Sequence, residues 1–417
     1  MKDSHYNVII VGGGAAGTSV ANDLAKMDSS QTVAIIEPSE NHYYQPAWTL
    51  VGAGLFKFKN TEKKQKDLLP SSVKWFKNYV TTFQPEENLI TIDSGCELSY
   101  DYLVVCPGLQ LDIDKIKGLS ETLGQNGVCS NYSKQHVEYT WEMTKKMSAG
   151  STALFTQPPM PIKCAGAPQK AMYLAADYFR EKGILQKMDI EFFNAGPTIF
   201  GVPFFAKELN KVIERYGIKT HYKWNLIEVN GPAKVAIFEN TDDSGKTSTL
   251  SKHFDMIHVA PPQSAPNFIK ESPLSNDGGW LSVDQKTLQH TIYPNIFGLG
   301  DVIGTTNAKT AAAVRKQVPI VVNNLLNVIN KRSVEASYTG YGSCPLTTSR
   351  SAIMMAEFSY GGEVTPSFPY LDPRKNRYIW MLFKRYGLPF LYWKIMLKAR
   401  RIDIPSKGSY AKKFLDD

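Results

Sequence analysis

The 417-residue chain has no unbroken apolar run of roughly eighteen residues, so nothing in it is built to span a bilayer as a single helix. Cysteine is scarce. Five are present, Cys96, Cys106, Cys129, Cys164 and Cys344, with no Cys-x-x-Cys and no Cys/His cluster at zinc spacing. That excludes a disulfide framework and a structural metal site. Dense Lys/Arg tracts are also missing, despite a formal net charge of +8. Nucleic acid is therefore not an expected partner, and the charge is left to the general surface, to small anions or to an acidic membrane face. The sequence enters its first apolar strand almost at once, so a signal or transit segment is not expected within it. With 43% apolar residues the composition is that of an ordinary globular protein, and the length allows two or three domains.

What is present begins at residues 6–14, YNVIIVGGG. Val8 to Val11 read as a buried parallel strand. Gly12, Gly14 and Gly17 then fit G-x-G-x-x-G at the entrance to a helix. The first glycine permits a tight turn, the second lets a pyrophosphate approach the backbone, and the third lets the helix pack on the sheet. A second strand, 32–36, ends in Glu37, where an acid would grip a ribose hydroxyl. Far downstream, residues 291–301 read TIYPNIFGLGD and a long helix follows. This resembles the second FAD fingerprint of two-dinucleotide-fold flavoproteins, which implies that Asp301 binds the ribityl chain. The helix after it would aim its positive end at the flavin, favouring the anionic reduced form. Residues 102–108, YLVVCPG, resemble the strand that returns to such an FAD domain, with Pro107 in an unusual place.

A second glycine loop for NAD(P)H is absent. Where it belongs, after the strand 153–156, stands PPMPIKCAGAP. Pro158, Pro159 and Pro161 remove amide donors that a phosphate loop needs. The next strand, 190–193, runs into NAGPTIFGV without fingerprint spacing. The expectation is a second Rossmann-like domain that has lost its nicotinamide site, with electrons entering from another donor. Cys164 occupies that loop. Lys163 beside it and a helix starting just beyond both favour thiolate. Cys344, in TGYGSCPLTT, lies on a loop after the FAD-binding helix. Cys106 reads as packing, Cys96 as incidental in a hairpin, and Cys129 carries no functional argument.

KCAGAPQK, YQPAWTLVGAG (44–54), KIKGL (115–119), NLIEV (225–229), TLQH (287–290), KTAAAV (309–314), GSCPL (342–346) and LPFLYW (388–393) are together similar to eukaryotic-type sulfide:quinone oxidoreductases, from about residue 5 to about 397. Residues 400–417 depart from that pattern. The resemblance implies that Cys164 and Cys344 form a redox pair bridged by sulfur at rest. Hydrosulfide attacks the Cys344 side and leaves a persulfide, and the sulfur on the Cys164 side passes its electrons to the flavin near C4a. Lys163 would stabilise the leaving thiolate. FAD would be held by Gly12, Gly14, Ala16, Gly17, Glu37, Pro38, Gln45, Pro46, Gly108, Asp301 and Lys309. The implied partners are hydrogen sulfide, ubiquinone and a small sulfur acceptor such as sulfite, glutathione or cyanide; homo-oligomerisation stays open.

Residues 376–401 interleave aromatics with Lys384, Arg385, Lys394, Lys398, Arg400 and Arg401. Gly387-Leu388-Pro389 is expected to break the stretch into two amphipathic pieces lying in a membrane interface. Phe383, Phe390 and Tyr392 are the expected quinone-lining residues. A monotopic enzyme follows, on the inner mitochondrial membrane in a eukaryote or the cytoplasmic membrane in a prokaryote. The fold class is α/β with two Rossmann-like domains. The FAD domain is 1–115 plus 285–330, the degenerate second domain is 116–284, and the C-terminal region is 331–417. A type-II NADH:quinone oxidoreductase is disfavoured by the missing glycine loop. Flavocytochrome sulfide dehydrogenase normally carries an export signal. A dithiol reductase would keep a cysteine pair at 43–55, where none stands. A redox-inert FAD-binding protein would have no use for both cysteine motifs.

Overall fold

The computed structural model describes residues 4–400. The run that reads VIIV lies in the strand Ser4–Val11, at the centre of a seven-stranded sheet. Parallel neighbours are Val33–Ile36 and Glu97–Val105. Val73–Phe76 extends one side, and the antiparallel strands Leu89–Ile92 and Val80–Gln84 the other. The short strand Ile296–Gly298 joins in parallel beside Glu97–Val105, so a segment from late in the chain completes the first domain. Both faces of the central strands are covered, which explains their unbroken apolar runs. Val8, Ile9 and Ile10 are fully buried.

The second sheet is wholly parallel, ordered Val128–Cys129, Met256–His258, Thr152–Gln157, Asp189–Asn194, Lys219–Tyr222. The helix Ala167–Glu181 follows Thr152–Gln157 as the crossover, as in a dinucleotide fold. A three-stranded antiparallel sheet, Asn225–Asn230, Val235–Thr241 and Thr247–His253, packs beside it. The chain returns to the first core earlier than residue 285. Ala265, Ile269, Leu274 and Leu281 already belong to the core that contains Val8 and Ile10. Apolar burial, not the position of the fingerprint, sets that boundary.

The hairpin Gly342–Thr347 with Ile353–Phe358 stands between the two domains and the C-terminal segment. In the register Cys344 opposes Ala356 and Leu346 opposes Met354, and these four join the second domain's core. Ser343, Pro345, Met355 and Glu357 point to the opposite face, because side chains alternate along a strand. The C-terminal expectation changes in one respect. Residues 378–398 continue helically through Gly387, which keeps helical dihedrals, and Pro389. Wide π-type turns at Phe383–Gly387 and Leu391–Ile395 flank the proline and absorb its missing donor. Arg401 lies outside the described residues. Among those described, no helix is long and apolar enough to cross a membrane.

Candidate active site

A cavity of about 910 Å³ runs from the first glycine loop to the C-terminal helix. At one end stand the three glycines of the loop, two in tight packing and one open to the cavity. Gly12 has φ +98°, and a Cβ there would meet the Cys106 carbonyl oxygen at 2.6 Å. A Cβ on Gly17 would sit 1.8 Å from the Gly12 carbonyl oxygen. A Cβ on Gly14 would meet nothing within 4 Å, since it faces the cavity. Glu37 accepts hydrogen bonds from the amides of Gly13 (2.7 Å) and Ser39 (2.7 Å), and burial raises its pKa. Gly14, Ala16, Glu37, Gln45, Pro46, Gly108, Asp301 and Lys309 all line the cavity. Pro38 does not, and Gly12 and Gly17 act through packing.

Two further features fit a large polar ligand. Thr49 Oγ1 and both side-chain polar atoms of Asn131 are buried, lack a protein partner and line this cavity. Such groups are normally satisfied, so a bound ligand accounts for them. The helix Ala311–Ile329, capped by the Thr310 hydroxyl on the Ala313 amide, opens toward the cavity. The expected FAD residues thus form a cradle that FAD fits. Lys309 is not a solvated helix-start lysine. Its ammonium donates to the Ile303 carbonyl (2.8 Å), sits 4.2 Å from the centre of the Trp280 ring, and is lowered to about 8 by burial.

In the second domain, the loop after Thr152–Gln157 turns Cys164 into the cavity with φ +50°, a strained conformation for a non-glycine residue. Its amide donates to the Lys309 carbonyl (2.8 Å), which ties the loop to the FAD helix. The next strand ends in Asn194, not in an acid. That side chain closes its own loop, accepting from the Gly196 amide and donating to Thr198. Neither the glycine loop nor the ribose-binding acid of an NAD site is present.

Cys164 and Cys344, 180 residues apart, meet with their sulfurs 3.9 Å apart. The ammonium against Cys164 is that of Lys170, at 3.1 Å, in the first turn of the helix that Gly166 opens. Lys163 turns away and donates to Gln45 Oε1 (2.8 Å). Lys384 completes the cluster. It is buried, bonded to the Pro345 carbonyl (3.3 Å) and Thr347 Oγ1 (3.1 Å), and lowered to about 7 by burial and by Lys170. The Cys344 thiol, which hydrogen-bonds its neighbour, and the Lys170 cation hold Cys164 well below the usual thiol range. Cys344 is raised well above it by its hydrogen bond to Cys164, by burial and by the charge on Cys164. A thiolate beside a thiol results, in a pocket with the Lys170 ammonium and the Lys384 amine, which titrates at about 7. Gly166 makes room for it, because a Cβ there would sit 2.6 Å from Cys344 Sγ. Cys106 and Cys129 are buried, with pKa values raised by burial. Among the described residues no other cysteine pair approaches this arrangement, and no metal-binding cluster occurs.

Residues 6–148 match the family model for pyridine nucleotide-disulphide oxidoreductases. The mitochondrial sulfide:quinone oxidoreductase of Dictyostelium discoideum is 46% identical over 395 residues, 94% of this chain and 86% of that protein. The corresponding Mus musculus enzyme is 43% identical, covering 95% and 87%. The chain belongs to the sulfide:quinone oxidoreductase family. The solved structure of the Aquifex aeolicus sulfide:quinone oxidoreductase has the same fold, with a TM-score of 0.77 at 18% identity over 99% of this chain and 95% of that one. Membership in this flavoprotein family makes FAD the cofactor of this chain.

Of the three residues expected to line a quinone site, Phe383 and Tyr392 face the cavity, while Phe390 is exposed to solvent. Tyr392 is committed elsewhere. Gln65 Nε2 donates to the Gly13 carbonyl (3.0 Å), so its Oε1 faces His42 Nδ1 (3.0 Å), which must carry the proton. His42 Nε2 is then the acceptor for the Tyr392 hydroxyl (2.6 Å). Burial keeps His42 neutral, with a pKa lowered to about 4. Sequence reading missed Lys170, Lys384 and His42. Lys384 had been counted among the membrane-facing cations. It lies instead on the helix side shared with Trp380 and Met381, whereas Tyr378, Ile379, Tyr386 and Phe390 are on the exposed side.

Proposed function

We propose that this chain is a mitochondrial, membrane-associated enzyme that oxidises sulfide and reduces a quinone, with Cys164 and Cys344 as its redox pair. The observation that carries the assignment is the 3.9 Å approach of two distant sulfurs beside the Lys170 ammonium. Closing a disulfide needs the sulfurs to approach to about 2.0 Å, and an inserted sulfur atom needs less movement. Hydrosulfide attacks the bridge at the Cys344 sulfur and leaves a persulfide there. The Cys164 sulfur departs as a thiolate, stabilised by Lys170. A small acceptor (sulfite, glutathione or cyanide) takes the outer sulfur, and re-formation of the bridge releases two electrons. FAD, when bound, supplies the two-electron carrier that a quinone can reoxidise.

The chain's other residues set the stage for this chemistry. Gly13 and Gly14 present the glycine-loop backbone to the pyrophosphate, Glu37 takes the adenosine ribose, and Asp301 takes the ribityl chain. Lys170, joined by Lys384 where it is protonated, supplies positive charge that draws HS⁻ toward the pair. The quinone enters beside Phe383, Met355 and Leu391, from the side covered by residues 378–398. Exposed Tyr378, Ile379, Tyr386 and Phe390, with Arg385 and Lys394, lie in the interface of the inner mitochondrial membrane. An anaerobic sulfide titration followed at the flavin band tests the assignment. Wild type bleaches with one equivalent per flavin, and neither Cys164→Ser nor Cys344→Ser does. Bleaching by NADH, or full sulfide reduction of either variant, would overturn it.

A further inference from the structure

The hairpin 342–358 is a wall with two unlike faces. Cys344 and Leu346 face the second domain's core on one side. On the other, Ser343, Pro345, Met355 and Glu357 line the cavity together with the C-terminal helix. The acceptor side is otherwise largely apolar, bounded by Met355, Phe383, Leu388, Leu391 and Ile395. Glu357, two residues beyond Met355 on the same strand face, lines the cavity and is 3% exposed. Its carboxylate is gripped by three donors. The Tyr341 hydroxyl and the Ser367 hydroxyl (2.6 Å) bond Oε1, and the Ser367 amide (2.8 Å) bonds Oε2. Tyr341 and Ser367 line the same cavity. A buried carboxylate is costly unless its oxygens are bonded, and here the residues that bond it line the cavity with it.

Reduction of a quinone to a quinol adds two electrons and two protons. The electrons come from the bound flavin, and a proton must reach each oxygen. Tyr392 cannot serve as the first donor, because its hydroxyl proton is directed at His42. We propose that Glu357 is the group that delivers one of these protons, with Tyr341 and Ser367 holding its carboxylate once the proton has left. The O–H bond of the carboxyl breaks as the quinone O–H bond forms. Glu357 is then reprotonated from water, and the second proton comes from solvent at the chamber mouth. The charged groups around this carboxyl are Arg315 and Lys316, each 5.9 Å from the centre of the Tyr341 ring, and Lys384 across the chamber. This inference rests on the sulfide–quinone reading above.

The test is a two-acceptor experiment on the FAD-loaded, full-length protein. Wild type and Glu357→Gln are reduced with sulfide, then mixed with a short-chain ubiquinone or with ferricyanide, which takes electrons without protons. A general acid contributes roughly a hundredfold or more. Glu357→Gln should therefore reoxidise about a hundredfold more slowly with quinone, keep its ferricyanide rate, and show a larger slowing in D2O. Glu357→Asp should recover part of the quinone rate. If Glu357→Gln does not fold, Tyr341→Phe and Ser367→Ala each remove one donor and should slow quinone alone. Quinone reoxidation within about twofold of wild type, or equal slowing with both acceptors, overturns the proposal. A wild type that sulfide bleaches but quinone does not reoxidise would instead refute the sulfide–quinone reading.

Discussion

Lys170→Met isolates the electrostatic part of the site. Methionine keeps the length of the lysine stem and removes the charge, so packing around the helix Ala167–Glu181 changes little. What is lost is an ammonium 3.1 Å from Cys164 Sγ, in a buried setting. A hydrogen bond to a charged group is worth about 1.5–3 kcal/mol. At 1.36 kcal/mol per unit, the Cys164 pKa should rise by about one to two units. The sign follows from the depressed value. The thiolate is populated above its folded pKa and lost as pH falls through it, so removing Lys170 moves that loss to higher pH. Burial, which opposes ionisation, acts on both proteins, so the shift between them reports the lost ammonium. The assay is the pH dependence of iodoacetamide alkylation of Cys164 in fully reduced protein, with the modified peptide identified by mass. A midpoint that moves by less than about half a unit would show that Lys170 is not what holds the thiolate. Lys384→Met should shift it less, because that lysine already titrates at about 7 and bonds Pro345 and Thr347, not the sulfur.

Other consequences are open to measurement. Gly166→Ala adds a Cβ 2.6 Å from both Cys344 Sγ and Leu346 Cδ2 at a residue whose φ of −83° suits alanine, so only the clash acts. It should cost about 1–3 kcal/mol in thermal unfolding and slow sulfide-dependent bleaching; normal bleaching would refute the tight fit. Gly14→Val should leave the melting temperature of FAD-free protein unchanged while weakening FAD binding in a fluorescence titration, since the added side chain meets only cavity. Exchanging exposed Tyr378, Tyr386 and Phe390 for serine should abolish co-sedimentation with anionic liposomes, each change costing within about 0.5 kcal/mol of stability. Point changes are the better probe here. Deleting everything after residue 375 would strip Tyr392, Trp393 and Leu397 from a cluster that also contains Tyr44 and Leu68 of the FAD domain.

The glycine loop, Glu37, the late GLGD motif and the absence of a second phosphate loop were legible because each is a local pattern. Strand, turn and helix entry lie within a few residues, and backbone geometry dictates the residue types. The two cysteines that meet were singled out from their small-residue surroundings, although Cys344 stands on a strand packed into a core and not on the expected loop. Which lysine meets Cys164 was not. Lys163 is its neighbour in sequence, but the strained turn at Cys164 sends that side chain toward Gln45, while helical geometry brings Lys170 back over the sulfur. Lys384 and Glu357 were hidden for a similar reason. Each lies far from the cysteine loop or the glycine loop in sequence, and only the hairpin and the C-terminal helix bring them to the cavity.

The sequence by itself determined that two dinucleotide folds would form, that one would keep its phosphate loop, and that two thiols would stand where chemistry could use them. Tertiary structure alone decided that those thiols meet, which ammonium ionises one of them, and which face of the wall each polar side chain serves. Local sequence sets backbone geometry over a few residues. The charge, burial and distance that tune a sulfur or a carboxylate come from segments up to hundreds of residues away, and only packing fixes them.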